Sequence, residues 1–202
     1  PLGVKSGLGW MGKHTNLIDR DTGSWFFLGE LYTDLPLPLD TPQKDNCGSC
    51  TRCIAACPTN AITAPYELDA RLCISYLTIE HKGSVPEPLR ALIGNRIFGC
   101  DDCQLVCPWN RDAAQTQLGD FAPRHNLNAS TLIELFQWNE SEFDRKTAGS
   151  PIRRAGYKCW LRNLAIALGN APTSKPVTDA LLLRLAHPSA LVREHTTWAL
   201  QR

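Results

Sequence analysis

The sequence predicts an α+β chain with strands near its N-terminus, a middle built around cysteines and an end that is all helix. Three observations carry this. Leu17-Ile18 and the apolar, aromatic run Trp25–Tyr32 read as two strands around a turn at Asp19–Ser24, which contains Asp-Thr-Gly. Eight of the nine cysteines fall between residues 47 and 107. From Ser130 onward apolar residues recur at helical spacing between capping residues.

Composition sets the outer bounds. With 202 residues, 43% of them hydrophobic and 20% charged, the chain is long and apolar enough for one or two small cores and is not of disordered type. No apolar run reaches the length of a membrane span, so no membrane partner is expected. No signal peptide is visible, which points to a reducing, cytoplasmic setting and against disulfides. Residues 1–12 read as mid-domain sequence, so a fragment with further residues upstream is expected; a monomer is expected too. The charge is divided. Residues 1–144 hold 11 basic and 18 acidic side chains, and residues 145–202 hold 10 and 2. An acidic body with a basic tail suggests a polyanionic partner, although a helical tail with a solvated basic face would look the same.

The N-terminal stretch Gly3–Asn16 packs four glycines into ten residues, with Lys13 at the end of the glycine set. Its spacing matches neither a Walker loop nor a dinucleotide fingerprint, so it reads as a tight loop near a bulky ligand or simply a structural loop. The run Trp25–Tyr32 is apolar almost throughout and is expected to be buried on both faces. Asp34–Gln43, with three prolines, reads as an extended connector.

The cysteines then follow a recognisable order. Cys47, Cys50, Cys53 and Cys57, followed by Pro58, form C-x2-C-x2-C-x3-C-P; Cys100, Cys103 and Cys107, followed by Pro108, form C-x2-C-x3-C-P; Cys73 lies between. In this ferredoxin pattern the first three thiolates wrap one cubane and the fourth ligates the other cluster. The expected sets are therefore crossed: Cys47, Cys50, Cys53 and Cys107 for one 4Fe–4S cluster, and Cys57, Cys73, Cys100 and Cys103 for a second. Zinc prefers two C-x2-C pairs closing one tetrahedral site, which this spacing does not offer. Trp109, just after the last ligand, either shields a cluster from water or is a core aromatic.

Between the cysteine runs, Leu68–Glu80 and Pro86–Ile97 read as helices, joined by the polar loop His81–Ser84. Further on, Ser130 or Thr131 caps Leu132–Trp138, and Asn139 with Glu142 forms a capping box. Ser150-Pro151 opens one long helix ending at Gly169-Asn170. Lys175–His187 and Ser189–Gln201 make a further pair. Successive helix pairs look like about one and a half HEAT-type repeats. In the long helix, Arg154, Lys158 and Arg162 are spaced i, i+4, i+8 beside Arg153 and Tyr157, an arrangement that could follow a phosphate backbone. Cys159 reads as a packing residue. The five histidines form no motif and each reads as structural or surface. No G-x-S-x-G, H-E-x-x-H or paired-carboxylate pattern appears, which argues against hydrolase chemistry.

Four stretches together resemble the epoxyqueuosine reductase family: Gly7–Asn16, the first cysteine run, Arg71–Thr78, and Gly99–Asn110. Arg162–Asn170 resembles the start of that family's HEAT-like region. The resemblance implies an oxidoreductase that reduces epoxyqueuosine to queuosine at the wobble position of tRNA, with electrons passing through two 4Fe–4S clusters to cobalamin. It implies three parts: residues 1–40 as the end of a cobalamin-binding α/β domain, 41–125 as a two-cluster ferredoxin-like domain, and 126–202 as a HEAT-like region that binds tRNA. By the same resemblance Lys13, Asn16, Leu17, Leu28, Ser75 and Tyr76 face the corrin, and Lys82, Arg154, Lys158 and Arg162 face tRNA. The family's proton donor, an aspartate, is expected upstream of Pro1, so no catalytic residue is expected within these residues. An electron donor of flavodoxin or ferredoxin type is implied. Two other readings fit the cysteines: a plain two-cluster electron-transfer module, and a corrinoid enzyme like the reductive dehalogenases.

Overall fold

The computed structural model describes residues 2–202. In chain order its helices are α1 (Leu2–Lys5), α2 (Arg52–Ala56), α3 (Glu87–Ile93), α4 (Asp102–Leu105), α5 (Leu132–Gln137), α6 (Glu140–Lys146), α7 (Tyr157–Gly169), α8 (Lys175–Leu182) and α9 (Ala190–Leu200). The strands are β1 (Trp10–Met11), β2 (Leu17–Ile18), β3 (Ile62–Ala64) and β4 (Glu67–Leu68). They form two separate antiparallel pairs, β1 with β2 and β3 with β4. The chain divides into two compact units, residues 1–70 with 101–117, and residues 71–100 with 118–202.

The first unit is loop-rich. Its hairpin pairs Trp10 with Ile18 and Met11 with Leu17. Gly9 is needed for this approach, because a Cβ there would meet the Ile18 carbonyl oxygen at 2.1 Å. Leu17-Ile18 is thus a strand as expected, but its partner is Trp10–Met11 and not Trp25–Tyr32. The latter run forms no strand and is largely exposed, with Leu31 98% accessible. Apolar composition alone does not make a strand, which needs a hydrogen-bonded partner strand, and none is paired with this run among the described residues.

The second unit is helical around one core. Trp160, Leu161, Leu164 and Ile166 of α7 are buried against Leu135 and Phe136 of α5, Leu181 of α8 and Val192 of α9. Helix α7 packs on α9, α5 and α8. Both expected N-terminal capping devices form. Thr131 accepts from the Glu134 N–H and Asn139 from the Glu142 N–H, with each glutamate reaching back to the cap's own N–H.

Two expected helices take other shapes. The segment 68–80 is not one helix; it becomes helical only after Cys73, and Tyr76–Glu80 is a π-helical turn. The helix expected from Ser150 to Asn170 is two pieces. A 3-10 turn covers Pro151–Ala155, Gly156 turns at φ 77°, and α7 starts at Tyr157. The positive φ, which glycine alone adopts freely, resets the helix axis. Arg154 and Arg162 therefore do not share a continuous helical face.

Candidate metal centre

The cysteine loop begins with Asp45, whose carboxylate accepts the Cys47 N–H at 2.8 Å, and continues through Gly48 at φ 50°. Cys50 N–H donates to the Cys47 carbonyl at 3.1 Å. Cys53 sits inside α2, and Cys57 follows its last turn. Lys13 fastens this loop from the glycine-rich stretch. Its ammonium donates to the Gly48 carbonyl at 2.6 Å and the Cys50 carbonyl at 2.9 Å. Lys13, expected to face a corrin, thus commits its ammonium to the cysteine loop.

Cys107 arrives from the other side, at the end of α4. Its position is held by Asn110, which is 6% exposed. The Asn110 amide donates to the Gln104 carbonyl and the Ser24 hydroxyl, both at 2.9 Å, while its oxygen accepts the Ser24 N–H at 2.7 Å. Gly23, at φ 75°, makes room: a Cβ there would lie 2.1 Å from the Asn110 oxygen. Sequence reasoning missed this staple. Trp109 meets Trp10 edge-on, with ring centroids 4.9 Å apart.

Cys47, Cys50, Cys53 and Cys107, the four residues expected for one cluster, line a single cavity of about 270 Å³. His14, Ile18 and Trp109 contribute to its wall. The four cysteines line one space, and among the described residues no three His, Cys, Asp or Glu draw close enough for one metal ion. A zinc ion, with Zn–S bonds of about 2.3 Å, needs that convergence. A multi-iron cluster needs the space instead. The electrostatics agree. Burial raises the pKa of Cys53, and the charges of Cys107 and Cys47 add to it; burial likewise raises Cys107, with Cys47 and Cys50 adding. Four thiolates gathered there would need a compensating cationic centre among them.

Of the other expected ligands, Cys57 and Cys103 belong to the first unit, and Cys73 and Cys100 to the second. Within the second, Ser75 ties two of these segments together: its hydroxyl accepts the Cys100 N–H at 2.9 Å and contacts the Cys100 carbonyl at 3.2 Å. Thr78 repeats the device, accepting from Gly99 N–H at 2.9 Å. Tyr76 is partly exposed beside His81. Asn16 and Leu17 lie in the β1–β2 turn and strand, and Leu28 is exposed in an open cleft lined also by Leu2, Leu8 and Leu31.

The residues expected at tRNA separate into exposed and buried. Lys158 is exposed. Arg154 is exposed and pairs with Glu80 at 2.7 Å. Lys82 donates to the carbonyls of Ile79, Arg154 and Ala155. Arg162 is a correction. It is 0% exposed and its guanidinium is fully used, donating to the carbonyls of Leu77, His81 and Gly83 and to Asn163 Oδ1. Five N–H donors in a rigid fork suit this task, and none remains for a phosphate. Asn163 continues the pattern with the carbonyls of Thr78 and Ile97, and Asn170 with those of Arg90 and Gly94. This polar spine was legible only as a motif; its targets lie far away in sequence.

A family model described as the 4Fe-4S double cluster binding domain matches residues 46–110. Epoxyqueuosine reductase of Xanthomonas campestris pv. campestris is 63% identical over 199 residues, 98% of this chain and 56% of that protein. The Pseudomonas aeruginosa protein of the same name is 60% identical over 202 residues, 100% of this chain and 56% of that one. Among solved structures, epoxyqueuosine reductase with an epoxyqueuosine-modified tRNA-Tyr stem loop superposes with a TM-score of 0.92 at 32% identity, over 98% of this chain and 53% of that one. The chain spans about half the length of the curated relatives it matches.

Proposed function

We propose that this chain, which by sequence belongs over its whole length with the epoxyqueuosine reductases, forms the electron-carrying and tRNA-facing part of an enzyme that reduces epoxyqueuosine to queuosine in tRNA. The observation that carries the reading is the coincidence of that match with a cavity lined by Cys47, Cys50, Cys53 and Cys107. The second set, Cys57, Cys73, Cys100 and Cys103, rests on the crossed spacing and on the double-cluster family model, which spans all eight cysteines.

The reaction takes two electrons and two protons; the epoxide oxygen leaves as water and a carbon–carbon double bond remains. A 4Fe–4S cluster transfers one electron at a time, so two clusters in series suit a two-electron reduction. This chain's residues hold and shield that relay. Lys13 and Asn110 fix the two ligand loops, and Trp10, Ile18 and Trp109 keep water from the first cluster.

The finer parts follow from the family resemblance. A flavodoxin- or ferredoxin-type protein donates the electrons. Residues 1–40 complete a cobalamin domain, 41–125 carry the clusters, and 126–202 form a HEAT-like region. Cobalamin, when bound, supplies a strongly nucleophilic and reducing cobalt. On the side expected to face the corrin, Lys13 gives two of its N–H groups to the cysteine loop and Leu28 lines an open cleft. The chemistry accounted for here ends at the clusters. For tRNA, the supporting surface is Arg153, Arg154 and Lys158, with Lys158 and Tyr157 lining a cleft of about 450 Å³. Among the described residues no helix is long and apolar enough to cross a membrane. A cytoplasmic monomer remains the proposal.

The test is conversion. Full-length protein, cobalamin, a low-potential reductant and tRNA bearing epoxyqueuosine should yield queuosine, a mass loss of one oxygen in digested nucleosides. Full cluster content without that mass change would leave the plain electron-transfer module standing.

A further inference from the structure

We propose that His14 is a positioning residue for the cluster held by Cys47, Cys50, Cys53 and Cys107, donating a hydrogen bond from Nε2 to a sulfur of that cluster and raising its reduction potential. The inference rests on the reading of these four cysteines as 4Fe–4S ligands.

The imidazole is fixed by a tight turn. Gly12 N–H donates to the Asn16 carbonyl at 2.9 Å, and Thr15 N–H to the Gly12 carbonyl at 2.8 Å, with Thr15 held at φ 66°. This turn brings Asn16 N–H to His14 Nδ1 at 3.1 Å. An N–H can only donate, so Nδ1 is the acceptor and the ring proton of the neutral imidazole sits on Nε2. The ring cannot swing toward the backbone freely. It lies so close to Gly12 that a Cβ there would be 2.9 Å from Cε1.

The other end of the ring is unsatisfied. His14 is 4% exposed, and Nε2 is a buried nitrogen with no hydrogen-bond partner among the described residues. A buried donor without an acceptor is costly, so an acceptor belongs there. His14 lines the same cavity as the four cysteines. Of the other polar side chains at that wall, the Lys13 ammonium points at two carbonyls and the Asn46 amide N–H at the Lys44 carbonyl, while Arg52 is exposed. What the cavity would contain is sulfur, as cluster sulfide and cysteine thiolate. Both accept hydrogen bonds, and both become more negative when the cluster gains an electron. A fixed N–H aimed at them stabilises the reduced form more than the oxidised form.

Two variants separate donation from packing. His14→Asn keeps an acceptor oxygen for the Asn16 N–H and withdraws the donor from the Nε2 position, its own NH2 ending one bond short. His14→Gln reaches the Nε2 position with an N–H. Full-length protein is loaded with iron and sulfide and titrated with redox dyes under EPR. The expected result is that one midpoint potential falls in His14→Asn by about tenfold in the reduction equilibrium, ~59 mV for a one-electron couple, while the other holds. His14→Gln should stay within about threefold of the native protein. Unchanged potentials in a fully loaded His14→Asn, or equal shifts in both variants, overturn the inference alone. Should His14→Asn fail to load, native protein with 15N-labelled histidine decides. Pulsed EPR of the reduced cluster should show a 15N coupling, and its absence overturns the proposal. A native protein that takes up no iron and sulfide overturns both this inference and the cluster reading beneath it.

Discussion

In the helical unit, Trp160, Leu161 and Leu164 are buried among aromatic and aliphatic side chains from five other helices. In the cysteine-bearing unit the buried cluster is Trp10, Ile18 and Cys107, with Cys47 and Trp109 packed against it, while Phe27, Leu31, Tyr32 and Leu39 stand exposed. The helical unit can be held by apolar burial, at about 25 cal/mol per Å². The first unit has a much smaller buried cluster, and small folds of that kind are commonly held by metal. Two means of stability meet in one chain, and they should fail under different insults.

The largest effect should come from breaking the metal side. Cys107→Ser, with a buried ligand removed, should lose one of two clusters and the ordered structure of the cysteine-bearing unit. Iron content should fall by about half, and hydrogen exchange should speed up across residues 44–57 while Trp160 and its neighbours stay protected. Equal loss of protection in α7 would end the distinction between the units.

The next effect belongs to the helical unit. Arg162→Met keeps volume but strands the carbonyls of Leu77, His81 and Gly83. The cost should be roughly 3–5 kcal/mol, a fall in Tm of about 10 °C or more. A fall of only a degree or two would show that water replaces the guanidinium.

The smallest is pH-dependent. His195 Nε2 accepts the Val85 N–H at 3.2 Å, so the folded imidazole is neutral; burial, aided by the Arg90 and Arg162 charges, lowers its pKa to about 4. The unfolded chain, with pKa near 6.5, binds that proton first as pH falls. Stability present above pH 6.5 is therefore lost between 6.5 and 4, by up to about 3 kcal/mol. Urea unfolding of α-helical signal at pH 7 and pH 4.5 measures it. A His195→Gln protein that loses just as much would assign the acid sensitivity elsewhere.

Some of this was readable in advance. The cysteine spacing grouped the four residues that line the cavity, because ligand geometry around one object is encoded locally. The caps at Thr131 and Asn139 were readable because they span three residues. What failed did so through distance. Trp25–Tyr32 has strand composition, but composition does not supply a neighbouring backbone. Arg162 looked like a surface cation because helical spacing was extrapolated across Gly156, and its acceptors lie about 80 residues earlier. His14 formed no motif at all; only the backbone turn to Asn16 shows which nitrogen carries the proton.

The spine of Arg162 and Asn163 also bears on how the protein is made. Cys73 and Cys100 bracket a segment whose carbonyls at Leu77, Thr78, His81, Gly83 and Ile97 are all gripped by these two residues. Translation delivers the cysteines first and the grip later. A nascent chain paused before α7 would hold that segment through the Ser75 and Thr78 hydroxyls but leave the gripped carbonyls to water. The segment between the two cysteines thus reaches its full set of hydrogen bonds only once the C-terminal helices have left the ribosome.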